Sequence, residues 1–322
     1  MIGGGPVVQL VVVALTVVGL WVGARLLVDS AVRLARRAGL SELVIGLTVV
    51  AVGTSTPELA VSLDAAFKGF SDIAVSNVLG SNIYNLAFIL GVVSLFGAIP
   101  VESSLVRRDG VALLASTAVG AAVLLDRTVG RLDGAVLAGL LVAYTVYLLR
   151  RGGSSSNEEP PTDQPDVTRG LPERLSVPGR DIGLLVAGLA VVLVSGDLLI
   201  GAASTLARSA GISEWVIGGT IVAAGTSTPE FAVSLVAVRR GSLGVSVGNI
   251  VGSNIFNLLG VLGLAALVRP LSVSQTALST LWWLVVVSTL VVAALWTGRE
   301  LSRAEGGLFA GSELVRWALS LL

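Results

Sequence analysis

SELVIGLTVVAVGTSTPELAVSLDAAFKG, residues 41–69, returns 172 positions later as SEWVIGGTIVAAGTSTPEFAVSLVAVRRG, residues 213–241, with 20 identities in 29 positions. The same register continues from NVLGSNIYNLAFILG (77–91) into NIVGSNIFNLLGVLG (249–263), so 41–91 against 213–263 carries 30 identities in 51. Apolar helices drift freely among Leu, Ile and Val and would not keep GTSTPE and GSNI-N by chance. The chain is therefore an internal duplication. Near the two ends the register returns once more, where Arg131, Asp133 and Gly134 match Arg303, Glu305 and Gly306.

The duplicated segments lie in a chain made for lipid. Of its 322 residues 54% are hydrophobic and 13% charged, against about 25% charged in soluble domains, and mean hydropathy is +0.89. A spanning helix needs about 20 mostly apolar residues. Such stretches run from Pro6 to Arg25, Ser41 to Phe67, Ile73 to Phe96, Val111 to Leu125, Gly134 to Leu149, Ile182 to Leu206, Trp215 to Val238, Leu243 to Val268, Ala277 to Trp296 and Gly306 to Leu322. The expected fold is an all-α polytopic membrane protein of ten transmembrane helices. Short alternating segments of a β-barrel are missing. The start, MIGGGPVVQL, has no basic residues before its apolar run and reads as a first span rather than a signal peptide. The 21 basic residues balance the 21 acidic ones, so no nucleic-acid partner is expected. Without cysteine or histidine, disulfides, thiol chemistry, imidazole catalysis and Cys/His metal sites are excluded.

The stretch 151–180 is rich in Gly, Ser, Pro and charge, as a solvated linker is. It separates a first five-helix repeat, 1–150 with its motif at 41–91, from a second, 181–322 with its motif at 213–263. An odd number of spans per half forces the second to enter the membrane the opposite way, giving two inverted repeats, the plan of secondary transporters. With the N-terminus outside, 14 Lys and Arg fall on inner segments and five on outer ones. That bias places the linker in the cytoplasm of a protein in the cell membrane.

Glu58 and Glu230 lie deep in apolar spans, where a charge costs roughly 2.5–3.5 kcal/mol on insertion scales. No Lys or Arg is near either in sequence, so a bound cation is the expected partner. Pro57 and Pro229 free carbonyls inside the helix, while Gly53 and Gly225 let it bend. Thr54, Ser55 and Thr56, with Thr226, Ser227 and Thr228, add hydroxyls. The next span brings Ser81, Asn82 and Asn85, with Ser253, Asn254 and Asn257 opposite. Such an all-oxygen site suits a hard cation; two carboxylates balance one Ca²⁺, or two or three Na⁺, or two protons.

At these residues the chain resembles the calcium/cation antiporter superfamily and, within it, the prokaryotic sodium/calcium exchangers. Their two repeats carry G-T-S-x-P-E followed by G-S-N-I-x-N or -D, here Gly53–Glu58 with Gly80–Asn85 and Gly225–Glu230 with Gly252–Asn257. The resemblance implies Ca²⁺ ligands at Glu58 and Glu230 with the carbonyls of Thr54 and Thr226. It implies Na⁺ sites on the same acids with Ser55, Ser227, Ser81 and Ser253, the carbonyls of Ala51 and Ala223, and Asn85 and Asn257. It also implies that two long spans, near 6–36 and 181–209, slide against the rest. Exchangers of this type often have Asp where this chain has Asn257, so the site here carries at most two negative charges. The last span, short and bearing Glu313 and Arg316, suggests a displaced or peripheral helix.

The expected function is exchange of Ca²⁺ for Na⁺ by alternating access, with the ions as cargo, the lipid bilayer as surroundings, no resident cofactor, and a monomer as working unit. An H⁺/Ca²⁺ antiporter of the same superfamily is the alternative, and a cation channel is the alternative of another class. An enzyme is not expected, because no nucleophile–base pair or HExxH-like motif occurs.

Overall fold

The computed structural model describes residues 5–97, 99–100, 105–151, 178–211, 223–298 and 300–320. Most of the expected linker, 152–177, and the first ten residues of the second motif, 213–222, lie outside the described residues. The first half contains α1 (Pro6–Ala38), α2 (Glu42–Thr54), α3 (Thr56–Lys68), α4 (Ser71–Phe96), α5 (105–124) and α6 (Arg131–Arg151). The second contains α7 (Pro178–Ser209), α8 (Ala223–Thr226), α9 (Thr228–Arg239), α10 (Leu243–Val268), α11 (Gln275–Gly298) and α12 (Arg303–Ser320). Two-residue strands β1 (Ile99–Pro100), β2 (Thr128–Val129), β3 (Leu271–Ser272) and β4 (Glu300–Leu301) clasp loops together. By length and apolarity α1, α4, α6, α7, α10 and α11 can each cross a membrane, and α2 with α3 makes a seventh, bent span.

Local chemistry fixes the ends. Pro6 opens α1, and Gly39 closes it in the left-handed region at φ 65°, with Arg36 and Arg37 in the last turn facing the negative end of the helix dipole. Ser41 Oγ then accepts the Val44 N–H at 3.2 Å and starts α2. At Ser55 the backbone leaves helical geometry (φ −80°, ψ 13°), and α2 and α3 diverge by 47°.

Contacts made in one half recur 172 residues on, with the two halves exchanged. Gly91 of α4 lies on Gly306 of α12, where an added Cβ would come within 2.6 Å of the Gly306 carbonyl. Gly134 of α6 lies on Gly263 of α10 with the same 2.6 Å approach to a carbonyl. Ile99 pairs with Leu301 across β1–β4, and Leu271 pairs with Val129 across β3–β2. The Gly130 N–H donates to Asp133 at 2.8 Å, and the Ser302 N–H donates to Glu305 at 2.9 Å. The late match of Asp133–Gly134 to Glu305–Gly306 therefore has two causes, a capping carboxylate and a glycine that admits a neighbouring backbone.

The last helix is not displaced. α12 packs along α4 through Gly306, and Trp317 stacks on Tyr84 with ring centroids 5.5 Å apart. Its Glu313 is buried, with Arg316 donating to the carboxylate at 2.8 Å three positions on. The ion pair offsets the charge that made this helix look unfit for a packed place.

α4 and α10 are the most buried of the long helices. Outside them α1 and α7 run side by side, and Gly23 and Gly188 meet so closely that a Cβ on either would lie 2.9 Å from the other's carbonyl oxygen. At one end Asp181 accepts from Arg33 at 2.8 Å and forms an ion pair with Arg37 at 2.8 Å.

Filling a glycine seam should destabilise, whereas filling open space should not. Gly91→Val or Gly134→Val is expected to cost about 1–3 kcal/mol through backbone displacement. Gly139→Ala, which would meet nothing within 4 Å, should leave the thermal unfolding midpoint in detergent unchanged or slightly raised.

Candidate cation site

Both helix breaks occur at serine. Ser55 and Ser227 have nearly the same backbone (φ −80°, ψ 13° and φ −89°, ψ 10°), and each precedes Thr-Pro-Glu. Proline in the first turn cannot donate, and it needs no partner there. The carboxylate follows one residue later, so Glu58 opens α3 and Glu230 opens α9, both in the positive first turn of a helix.

The two breaks are tied to each other rather than to themselves. Ser55 Oγ donates to Glu230 Oε1 at 2.8 Å, and Ser227 Oγ donates to Glu58 Oε1 at 2.8 Å. Ser253 Oγ reaches Glu230 Oε1 at 3.5 Å. Both carboxylates are wholly buried. Each half thus supplies the acid that the other half's serine holds, and neither half completes the site alone.

Each acid uses one oxygen in this exchange, while Glu58 Oε2 and Glu230 Oε2 have no hydrogen-bond partner. Both amide atoms of Asn85 and of Asn257 are also buried without partners, as are Asn82 Oδ1 and Asn254 Oδ1. Buried polar groups are ordinarily paired, so six oxygens with unsatisfied lone pairs concentrated on these residues point to a guest that takes oxygen ligands. Asn85 and Asn257 sit in widened π-type turns, Tyr84–Ile89 and Phe256–Val261, an interruption of the α-helix frequent at functional sites. Ser81, nearly buried, and Ser253 lie one turn before these asparagines.

The remaining expected ligands divide. Thr54 is buried and donates to Asn249 Oδ1 at 2.9 Å, across the two halves. Thr226 is buried beside Ser227. The Ala51 carbonyl takes part in its own helix, accepting the Ser55 N–H at 3.0 Å and the Thr54 hydroxyl at 3.3 Å. Ala223 begins α8. Gly53 and Gly225 have a role other than bending. A Cβ on Gly53 would lie 2.9 Å from Leu189, and one on Gly225 would lie 2.3 Å from Ile200, so both glycines admit α7.

Two further residues organise the site. Asn77 Nδ2 donates to the Glu58 carbonyl at 3.0 Å and to Ser62 Oγ at 2.9 Å. Asn249 Nδ2 donates to the Glu230 carbonyl at 3.3 Å and to Ser234 Oγ at 3.0 Å. These amides hold the backbone of each acid against the following helix. The signal was available in the aligned Asn77/Asn249 and Ser62/Ser234, since an amide inside an apolar span needs partners as a carboxylate does. Asn249→Ala would leave the Glu230 carbonyl and the Thr54 and Ser234 hydroxyls each short of a bond. It is expected to lose about 1–3 kcal/mol of stability per stranded group, read as a lower thermal midpoint of the purified protein; an unchanged midpoint would contradict this role.

The profile of the family described as "Sodium/calcium exchanger protein" matches residues 8–150 and 181–312. The inner membrane protein YrbG of Escherichia coli (strain K12) is 36% identical over 322 residues, 97% of each chain. The sodium/calcium exchanger MaX1 of Methanosarcina acetivorans is 32% identical over 330 residues, 93% of this chain and 94% of its own. A solved structure of the sodium-calcium exchanger NCX_Mj, soaked with zero Na⁺ and Ca²⁺, superposes with a TM-score of 0.84 at 30% identity, covering 99% of this chain and 100% of that one.

Proposed function

This chain belongs to the sodium/calcium exchanger protein family, and from that premise we propose that it exchanges Ca²⁺ for Na⁺ across the cell membrane, at a site shared by Glu58 and Glu230. The observation that carries the reading is the reciprocal pair Ser55–Glu230 and Ser227–Glu58, with an unpartnered oxygen left on each acid. Two carboxylates neutralise one Ca²⁺, and burial raises the value of that neutrality because Coulomb terms grow as the dielectric falls. Na⁺ prefers the same hard oxygens at lower charge, so the two loads compete for one set of ligands. In this reading the carboxylates, the hydroxyls of Ser55, Ser227, Ser81 and Ser253, and the amides of Asn85 and Asn257 share the ligation with carbonyls of Ala51, Thr54, Ala223 and Thr226. The asparagines act as neutral dipoles. Transport is carried out by a monomer without a resident cofactor and involves no enzymatic step.

We further propose ten spans as two inverted five-helix repeats, 1–150 and 181–322, around a cytoplasmic linker at 151–180. The exchange of partner halves in the Gly91–Gly306 and Gly134–Gly263 contacts supports this plan. So does the grouping of loop ends: the Arg33–Asp181 pair, the Arg240–Asp29 pair and β1–β4 join segments assigned inside, while β2–β3 joins segments assigned outside. α1 and α7 move as a unit, because their glycine seam and the Asp181 pairs bind them to each other. Sliding of that unit over the broken helices opens the site to one side at a time.

Ca²⁺ uptake into proteoliposomes, with Na⁺, K⁺ and H⁺ gradients imposed separately, tests the coupling. Uptake should follow an outward Na⁺ gradient, and uptake driven equally by H⁺ alone would sink the assignment. For orientation, a cysteine replacing Ser71 in this cysteine-free chain should react with impermeant reagents from outside, and one replacing Ser155 only from the cytoplasm. The reverse pattern would overturn the topology.

A further inference from the structure

α1 is 33 residues long, well beyond the roughly 20 that the hydrocarbon of a bilayer requires. Its stretch from Pro6 to Ala24 carries no charge, and the first charged residue is Arg25. Arg25 therefore marks the level at which α1 leaves the hydrocarbon toward Arg33, Arg36 and Arg37. Trp21, one turn earlier, sits at the depth where indole rings anchor in the headgroup region. Both side chains are exposed, with the Arg25 guanidinium 5.5 Å from the Trp21 ring centroid.

Across a cleft of about 200 Å³ these two face Val236, Arg239 and Arg240 at the end of α9. Arg240 pairs with Asp29, and Arg239 lies over Phe96 at 5.0 Å. Among the described residues neither Arg25 nor Arg239 has a carboxylate partner. Three guanidinium groups against one carboxylate leave the cleft about two charges positive. A bias of arginine toward inner loops explains Arg239 and Arg240. It does not by itself turn Arg25, from a different helix, to the same cleft.

We infer that this cleft binds the headgroup phosphate of an anionic phospholipid, between Arg25 and Arg239. Guanidinium groups grip phosphate oxygens in paired hydrogen bonds, and basic pockets between spans at this depth suit such headgroups. A soluble phosphate offers the same chemistry, but the exposed Leu15, Val18 and Val22 continue the Arg25 face of α1 at helical spacing and offer an acyl chain its track. A phosphate held by both arginines ties α1 to α9, so the lipid bears on the same helix whose sliding the exchange mechanism uses.

Native mass spectrometry of the full chain in neutral detergent, titrated with phosphatidylglycerol, tests the site. The parent should retain one phosphatidylglycerol at a concentration roughly tenfold lower than Arg25→Gln/Arg239→Gln does, while phosphatidylcholine should be retained equally poorly by both. Arg25→Lys/Arg239→Lys, which keeps both charges, should retain more than the Gln pair. Equal phosphatidylglycerol retention by the parent and the Gln pair would overturn the proposal. Displacement of the lipid by millimolar inorganic phosphate would overturn the lipid in favour of a soluble anion.

Discussion

Two carboxylates buried in apolar helices, each held by a serine of the opposite half, are the constraint on which the rest depends. A single buried acid can protonate and settle on a neighbouring carbonyl. Two acids joined crosswise by Ser55 and Ser227 cannot do so without the halves meeting in one register. The helix breaks, the amides of Asn77 and Asn249, and the widened turns at Asn85 and Asn257 all serve to bring backbone and side-chain oxygens to that junction. One oxygen of each acid is satisfied within the protein and the other is not, which is the state that the proposed site needs in order both to hold a cation and to release it.

Close packing at glycines surrounds that junction on both sides. α4 and α10 are locked to α12 and α6 by Gly91–Gly306 and Gly263–Gly134, contacts from which even a methyl group is excluded. In lipid, where apolar burial gives little net drive between helices, such backbone approach is what holds a bundle together. α1 and α7 are as tightly joined to each other at Gly23 and Gly188, and they meet the broken helices through apolar contacts at Leu189, Ile200 and Pro229, with the Asp29–Arg240 pair a polar tie at the end of α9. The proposed division into a fixed core and a sliding pair rests on where these glycine seams are placed.

Much of this was legible in the residues, for physical reasons that differ by element. The duplication showed itself because GTSTPE and GSNI-N are polar words in apolar text, and their cost in lipid makes them informative. The alignment of Asn77 with Asn249 and of Ser62 with Ser234 shows that these amides need partners, but an intramembrane amide does not reveal which carbonyl it will reach. Gly53 and Gly225 suggested flexibility, whereas the chain uses them to admit α7, a distinction that depends on a neighbour far away in sequence. The spacing of three already allows the Glu313–Arg316 pair, whereas the packing of α12 on α4 through Gly306 depends on a neighbour that the sequence does not reveal. Among the described residues six helices and the bent α2–α3 pair have the length and apolarity of spans, whereas α12, with Arg303, Glu305, Glu313 and Arg316, does not.

The central claim is that Glu58 and Glu230 form one cation site to which each half contributes equally. Equilibrium Ca²⁺ binding to the purified parent, Glu58→Gln and Glu230→Gln, at fixed pH and without Na⁺, tests it most directly. The account predicts one saturable Ca²⁺ per parent chain and loss of that binding in each single variant, because one carboxylate cannot neutralise a buried divalent ion. Saturable binding of parental affinity in either variant would contradict it.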